Sequence, residues 1–102
     1  MIYCVSGIWY NKNYEVADSL DFGEYSEPSD AFNEFIYLSS QPSSNFFKEK
    51  DKEDYYVVKI QIEKCEETED GIECVDVLNE VDMYNPKFDN DIDNTDKIQD
   101  IV

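Results

Sequence analysis

The chain has 102 residues, 41% hydrophobic and 15% aromatic, and its 25 carboxylates against eight basic residues give a formal charge of -17. This length fits one domain with a small core, and the aromatic content is too high for a disordered acidic chain. The charge excludes a basic nucleic-acid-binding surface, and the absence of histidine and arginine removes the commonest catalytic bases and anion clamps.

The N-terminal part of the chain predicts a β-hairpin. Residues 2–10 are uncharged and carry apolar side chains on both alternating faces, which is typical of a strand in the middle of a sheet. Residues 11–13 form a polar turn. Beyond it, apolar side chains such as Leu20 and Phe22 fall on even positions, and polar ones such as Asp21 fall on odd positions. This alternation predicts the second strand of the hairpin.

An amphipathic helix is predicted from about residue 28 to residue 40. Pro28 suits the first helical turn, and Ser26 or Ser29 is available as the capping residue. Apolar side chains then recur at helical spacing, and we expect them to pack on the sheet as core: Ala31, Phe32, Phe35 and Ile36.

A loop and a second hairpin follow the helix. Residues 41–54 contain lysines and carboxylates of alternating sign, so a solvated loop is predicted there. Residues 55–64 alternate between apolar and polar side chains, which predicts a strand, and residues 72–81 form its partner. Asp70 and Gly71 between them favour a tight turn, because both residues accept positive φ.

The cysteines and the N-terminus bear on the cellular compartment. Cys4, Cys65 and Cys74 are too few and too widely spaced for a secreted disulfide framework or a four-ligand zinc site, so we expect buried free thiols. If the hairpin loop is 68–71, Cys65 faces Cys74, and a cross-strand disulfide is the alternative. No run of 18 apolar residues and no leader-like N-terminus occurs, so a cytoplasmic protein is expected.

The composition changes after Asn85 and Pro86, which predicts a single domain over 1–86 and an acidic tail over 87–102. Four tail aspartates follow the spacing of an EF-hand calcium loop: Asp89, Asp91, Asp93 and Asp100. Asn94 stands where that loop has glycine, and no flanking helices are predicted. These aspartates are therefore a weak calcium-site candidate, with a solvated tail as the alternative.

The order of elements predicts an α+β fold and no catalytic site. One helix on a four-stranded, mainly antiparallel sheet of two hairpins accounts for the whole pattern. The three glycines are far apart, so no phosphate-binding loop is formed. Catalysis by a pair of carboxylates requires a cleft in which the two groups have different pKa values, and a chain this small has little room for such a cleft. We therefore expect neither an enzyme nor a cofactor.

Carboxylates concentrate in two stretches of the chain. The first repeats every third residue from Glu15 to Asp30. The second crowds the second hairpin and is the predicted partner-binding site: Glu63, Glu66, Glu67, Glu69, Asp70, Glu73 and Asp76. Same-face residues two apart on a strand are separated by about 6.6 Å, so such carboxylates approximate successive phosphates of a nucleic-acid strand. Solubility and protection of a sheet edge are the alternative explanation.

The small size, the charge and the acidic hairpin from Glu66 to Glu73 resemble the DNA-mimic inhibitors of bacteriophages and mobile elements, of the anti-CRISPR and anti-restriction type. The resemblance is one of class, without a shared motif. It implies a stoichiometric inhibitor that blocks the cationic channel of a nucleic-acid-binding enzyme, either a Cas or a restriction nuclease. An immunity protein or antitoxin against a basic nuclease, and a calcium-responsive acidic interaction module, are the alternatives.

The partner is expected to be a basic nucleic-acid-binding protein, because a polyanion repels nucleic acid and anionic membrane surfaces alike. Affinity at such interfaces depends on a few buried anchors, usually aromatic. Aromatic side chains near the edges of the predicted elements are the candidate anchors, with core packing as the alternative: Tyr25, Tyr37, Phe46, Phe47, Tyr55 and Tyr84.

Overall fold

The computed structural model describes residues 1–88, which form one antiparallel sheet with a helix on it. The sheet has four strands in the order β2-β1-β3-β4, and every neighbouring pair is antiparallel. The predicted α+β fold is therefore confirmed, with β1 in the interior of the sheet as expected. The elements are β1 (Ile2–Tyr10), β2 (Val16–Tyr25), α1 (Pro28–Ser39), β3 (Val57–Thr68) and β4 (Gly71–Tyr84), with short 3₁₀ helices at Ser43–Phe46 and Pro86–Phe88.

The core lies between α1 and one face of the sheet. Ala31, Phe35 and Leu38 are the buried helix residues, and they pack against side chains of the two central strands, including Trp9 and Ile60. Ile36, predicted as core, is 57% exposed. At about 100° per residue it points well away from the stripe that Ala31, Phe35 and Leu38 define, so that prediction is wrong.

The start of α1 also differs from the prediction. Glu27 is the N-cap residue, and no side chain makes a capping hydrogen bond, so neither Ser26 nor Ser29 fills that role. Pro28 stands in the first turn as expected, where its missing N–H removes no helical hydrogen bond.

Two bulges interrupt the simple alternation predicted for β2. The register passes from Val5 opposite Gly23 to Ser6 opposite Asp21, which leaves Phe22 as the extra residue. Phe22 turns onto the core, with its ring centroid 6.4 Å from that of Trp9. Gly7 makes room for it, because a Cβ there would lie 2.8 Å from the Phe22 ring.

The segment between α1 and β3 is packed, so the prediction of a solvated loop is wrong for part of it. Phe46 and Phe47 are buried, and the Trp9 indole N–H donates to the Phe46 carbonyl at 2.9 Å. The side chain of Lys52 is only 12% exposed and its Nζ lies 3.2 Å from an Asp18 carboxylate oxygen. These contacts fix the loop to the edge of the sheet that β2 forms.

A buried asparagine closes the domain after β4. Asn85 is 4% exposed, and its amide donates to the carbonyls of Glu53 at 2.8 Å and Tyr55 at 2.7 Å. Its side-chain oxygen accepts the Lys87 N–H at 3.0 Å. The Phe88 ring lies 5.7 Å from that of Tyr56, so residues 87 and 88 pack on the domain although the sequence analysis began the tail at 87.

The second hairpin is longer than predicted. β3 continues to Thr68 and β4 begins at Gly71, which leaves Glu69 and Asp70 as a two-residue turn. Gly71 has φ +125°, the left-handed region that glycine adopts without strain. Cys65 stands opposite Cys74 in the ladder, as the sequence indicated, and both thiols are free.

Candidate acidic binding surface

The face of the sheet opposite α1 is called the open face here. Alternation along the strands turns Val5 and Ile60 towards the helix and places their neighbours on the open face. The central side chains there, Ser6, Lys59 and Gln61 among them, are half-buried by one another and reach solvent. Within residues 1–88, α1 contacts the sheet only from the core side.

The strand register gathers carboxylates on the open face from three different strands and from stretches far apart in the chain. One row runs Glu24, Cys4, Glu63 from β2 to β3, and the next runs Asp21, Ser6, Gln61, Glu80 across all four strands. Lys59 is the one lysine that the register places there, and it lies 4.0 Å from Glu80. The carboxylates of this face are Asp21, Glu24, Glu63, Glu67, Glu80 and Asp82.

The carboxylates of the two edge strands form two outer lines, and the central strands β1 and β3 lie between them. Asp21 and Glu24 lie on β2, while Glu80 and Asp82 lie on β4, at opposite edges of the sheet. Three inter-strand steps separate these edges, a distance of about 14 Å. Between the lines, β1 and β3 carry the polar side chains of Ser6 and Gln61 and the charged side chains of Lys59, Glu63 and Glu67.

The predicted site residues do not form a single cluster. Glu66, Glu67 and Glu73 lie at the exposed end of the second hairpin with Glu69 and Asp70, beyond Cys65, the last β3 residue that pairs with β1. Glu66 and Glu73 are directly opposite each other, an arrangement in which like charges repel. Glu67 is on the open face and Glu66 is on the other, so the sheet divides the predicted set.

Two of the predicted residues lie away from the hairpin end. Glu63 is half-buried in the open face, where its carboxylate accepts hydrogen bonds from the Ser6 hydroxyl at 3.3 Å and from the Gln61 amide. Asp76 stands opposite Lys64 on the face that carries α1. The sequence could not separate these positions, because only the register assigns each residue to a face.

The three cysteines lie close together on the open face, where burial and, to a lesser extent, nearby carboxylates raise the pKa values of their thiols. Burial raises the pKa of the Cys65 thiol to about 12, and burial with the Glu63 carboxylate raises that of Cys74 to about 11. Burial raises the Cys4 pKa as well, with contributions from Glu24, Asp21 and Glu63. The thiols are therefore neutral at physiological pH and weak nucleophiles.

Residues 1–88 form neither a metal site nor a membrane-spanning helix. No three cysteine or carboxylate side chains in this range are placed to hold a metal ion. The helix in this range is too short to cross a membrane. The aspartates of the calcium-site candidate, Asp89, Asp91, Asp93 and Asp100, lie outside the described residues.

Comparison with known proteins adds no assignment to this surface. No family model, no curated protein and no solved structure matches the chain. The interpretation of the open face therefore rests on its own residues.

Among the predicted aromatic anchors, two are exposed enough to meet a partner. Tyr37 on α1 is 63% exposed and Tyr84 at the end of β4 is 38% exposed. Phe46 and Phe47 are buried in the core, so they are not anchors. Tyr25 and Tyr55 are partly buried against the core.

Sequence reasoning missed one aromatic residue of the same kind. Tyr14, just before β2, is 60% exposed, and its ring centroid lies 5.8 Å from that of Tyr56. The alternation predicted beyond residue 13 would include Tyr14 in the second strand, but β2 begins only at Val16. Its backbone, at φ +59°, is instead in the left-handed region that non-glycine residues rarely adopt.

Proposed function

We propose that this protein is a stoichiometric inhibitor of a nucleic-acid-binding enzyme, of the Cas or restriction nuclease kind, in the host cytoplasm. The open face and the hairpin end occupy the cationic channel of the enzyme and keep DNA out of it. The observation that carries the proposal is the convergence of six carboxylates with one lysine on a single sheet face. Binding alone accounts for the effect, without catalysis and without a cofactor.

The spacing of the open face supports mimicry of a DNA groove. Its two lines of carboxylates are about 14 Å apart, comparable with the major groove of B-DNA, which is about 12 Å wide between its phosphate backbones. Glu80 and Asp82, two apart on β4, repeat at about 6.6 Å along the strand. Ser6 and Gln61 lie between the lines, where a groove presents the polar edges of its bases.

The cost of this arrangement also supports a role beyond solubility. Carboxylates that serve only solubility are best dispersed, because like charges on one face repel and destabilise the folded state. Here the register concentrates them, and Glu66 faces Glu73 directly at the hairpin end. A partner lined with lysine and arginine relieves that repulsion and is steered to the surface by opposite charge.

The test is inhibition of purified Cas and restriction nucleases by the full chain, with DNA cleavage as the readout. The open-face variant carries Asp21→Asn, Glu24→Gln, Glu80→Gln and Asp82→Asn. The control variant removes the same charge elsewhere with Glu27→Gln, Asp30→Asn, Asp51→Asn and Glu53→Gln. We expect the nuclease that the native chain inhibits to need at least tenfold more open-face variant and less than twofold more control variant.

Two outcomes would overturn the proposal. If no nuclease of either kind is inhibited by the native chain, the charge does not serve this function. If the two variants lose inhibition equally, net charge matters and the open face is not the binding surface. Immunity-protein action would appear as inhibition confined to one basic nuclease and unaffected by added DNA.

A further inference from the structure

We propose that a tyrosine cluster at one end of the open face, formed by Tyr14, Tyr56 and Tyr84, binds an arginine side chain of the basic partner. This inference rests on the proposed function and names the anchor of the same surface. An arginine is the occupant that both the rings and the surrounding carboxylates favour.

The three rings form a continuous aromatic surface. Tyr56 is the central ring, with edge-to-face contacts to Tyr14 at 5.8 Å and to Tyr84 at 5.5 Å. The outer two side chains are the more exposed ones and can meet a ligand, while Tyr56 contacts both. Edge-to-face packing of this kind is favoured by the ring quadrupoles and stabilises the arrangement of the three side chains.

The backbone at Tyr14 is held in an unfavourable conformation. Tyr14 is the one non-glycine residue with positive φ among residues 1–88. The turn is fixed around it by Asn11, whose carbonyl accepts the Tyr14 N–H at 2.9 Å and whose side chain accepts the Glu15 N–H at 3.1 Å. Glycine suits such a position without strain. A largely exposed tyrosine regains little by packing, which points to a role in binding.

Negative charge lies beside the rings. Tyr84 and Asp82 are two apart on β4 and so share the open face. Partial burial of its phenol, the neighbouring Tyr84 hydroxyl and the charge of Asp82 raise the pKa of Tyr14. A guanidinium stacks on aromatic faces and donates in its plane to a carboxylate, which a lysine ammonium does less well.

The neighbourhood already accommodates a cation on a ring. Lys12 Nζ lies 4.3 Å from the ring centroid of Phe88, and Phe88 in turn contacts Tyr56. The partner's arginine makes the corresponding contact on Tyr14 and Tyr84. A preference for arginine over lysine therefore distinguishes binding at the tyrosine cluster from the non-selective attraction of cations to the carboxylates of the open face.

The test uses acetylated triarginine and trilysine amides, which carry equal charge, with affinity for the full chain measured by calorimetry. The native chain is expected to bind triarginine at least fivefold more tightly than trilysine. Tyr14→Gly, which also relieves the backbone, and Tyr84→Ala should each reduce that ratio to below twofold. Tyr37→Ala is the control for loss of an exposed tyrosine, because Tyr37 is 63% exposed, against 60% for Tyr14 and 38% for Tyr84, but lies on α1 away from the cluster. Thermal unfolding checks that each variant is folded.

Equal affinity of the native chain for the two peptides would overturn the inference, and so would an unchanged ratio in Tyr14→Gly and Tyr84→Ala. The open-face variant separates this result from the proposed function. If that variant loses nuclease inhibition while the tyrosine variants keep the arginine preference, only the tyrosine inference fails. If the tyrosine variants lose the preference while the open-face variant still inhibits, only the proposed surface fails.

Discussion

Replacement of Asn85 by alanine tests how the end of the domain is held. The change removes two donated hydrogen bonds, to the carbonyls of Glu53 and Tyr55, and one accepted from the Lys87 N–H. At about 1 kcal/mol of net stability for each bond, the expected loss is about 3 kcal/mol. The stability of a domain this size is on the order of 4–13 kcal/mol, so the loss is a large part of it.

Urea denaturation followed by circular dichroism measures this loss. With a slope of roughly 1–1.5 kcal/mol per molar urea for a domain of this size, the midpoint should fall by roughly 2–3 M while the slope stays the same. Asn45→Ala is the control, because Asn45 is exposed and its amide bonds only the Gln41 side chain, so its effect should stay within about 0.5 kcal/mol. A loss below about 1 kcal/mol for Asn85→Ala would refute the reasoning.

The Asn85→Asp variant separates the contribution of hydrogen bonding to stability from that of side-chain shape, because the asparagine and aspartate side chains are nearly isosteric. An ionised carboxylate cannot donate to the Glu53 and Tyr55 carbonyls, so at neutral pH this variant should be no more stable than Asn85→Ala. Protonation restores one donor, which raises the folded-state pKa of the new carboxyl above its unfolded value of about 3.9. Its deficit should therefore shrink as the pH falls towards 4 and grow as the pH rises through the folded-state pKa.

Three further predictions follow from the fold and the surface. Gly7→Ala should destabilise the domain by about 1–3 kcal/mol in urea denaturation, because the new Cβ would clash with the Phe22 ring. At Gly71 a new Cβ would meet no atom within 4 Å, so Gly71→Ala is opposed only by the positive φ of that residue. Glu66→Gln with Glu73→Gln should raise the thermal midpoint by relieving a directly opposed pair, and an unchanged midpoint in low salt would contradict this. Burial raises the pKa of the Cys65 thiol to about 12, so the unfolded state loses the thiol proton at lower pH than the folded state does. The free energy of unfolding should therefore fall as the pH rises from about 9 towards 12. A Cys65→Ala variant should lack this contribution to the fall.

Much of the fold can be predicted from local patterns. The uncharged run from Ile2 to Tyr10 correctly indicates an interior strand, and the Asp70-Gly71 pair correctly indicates a tight turn, although only Gly71 has the positive φ expected of both residues. Features that depend on contacts distant in sequence cannot be predicted in this way. Phe22 leaves the alternation because a bulge turns it onto Trp9, and Lys52 is drawn from a charged loop to Asp18.

The candidate surface was only partly predictable for the same reason. The density of carboxylates along the chain indicates the end of the second hairpin, and the structure does place Glu66, Glu67 and Glu73 together there. The open face, however, places Glu24 and Glu63 on either side of Cys4, although they lie 39 residues apart in the chain, and only the strand register brings them together. The role proposed for Tyr14 could not be predicted from the pattern of side chains, because it depends on the positive φ of that residue.

The proposed function requires this protein and DNA to compete for one cationic channel of the nuclease. Size-exclusion chromatography with light scattering, on an inhibited nuclease mixed with a 20-base-pair target duplex and increasing amounts of this chain, tests it directly. We expect release of the duplex at one equivalent of chain and no peak that contains all three components, with weaker exchange at higher salt. A stable complex of nuclease, duplex and this chain would contradict it.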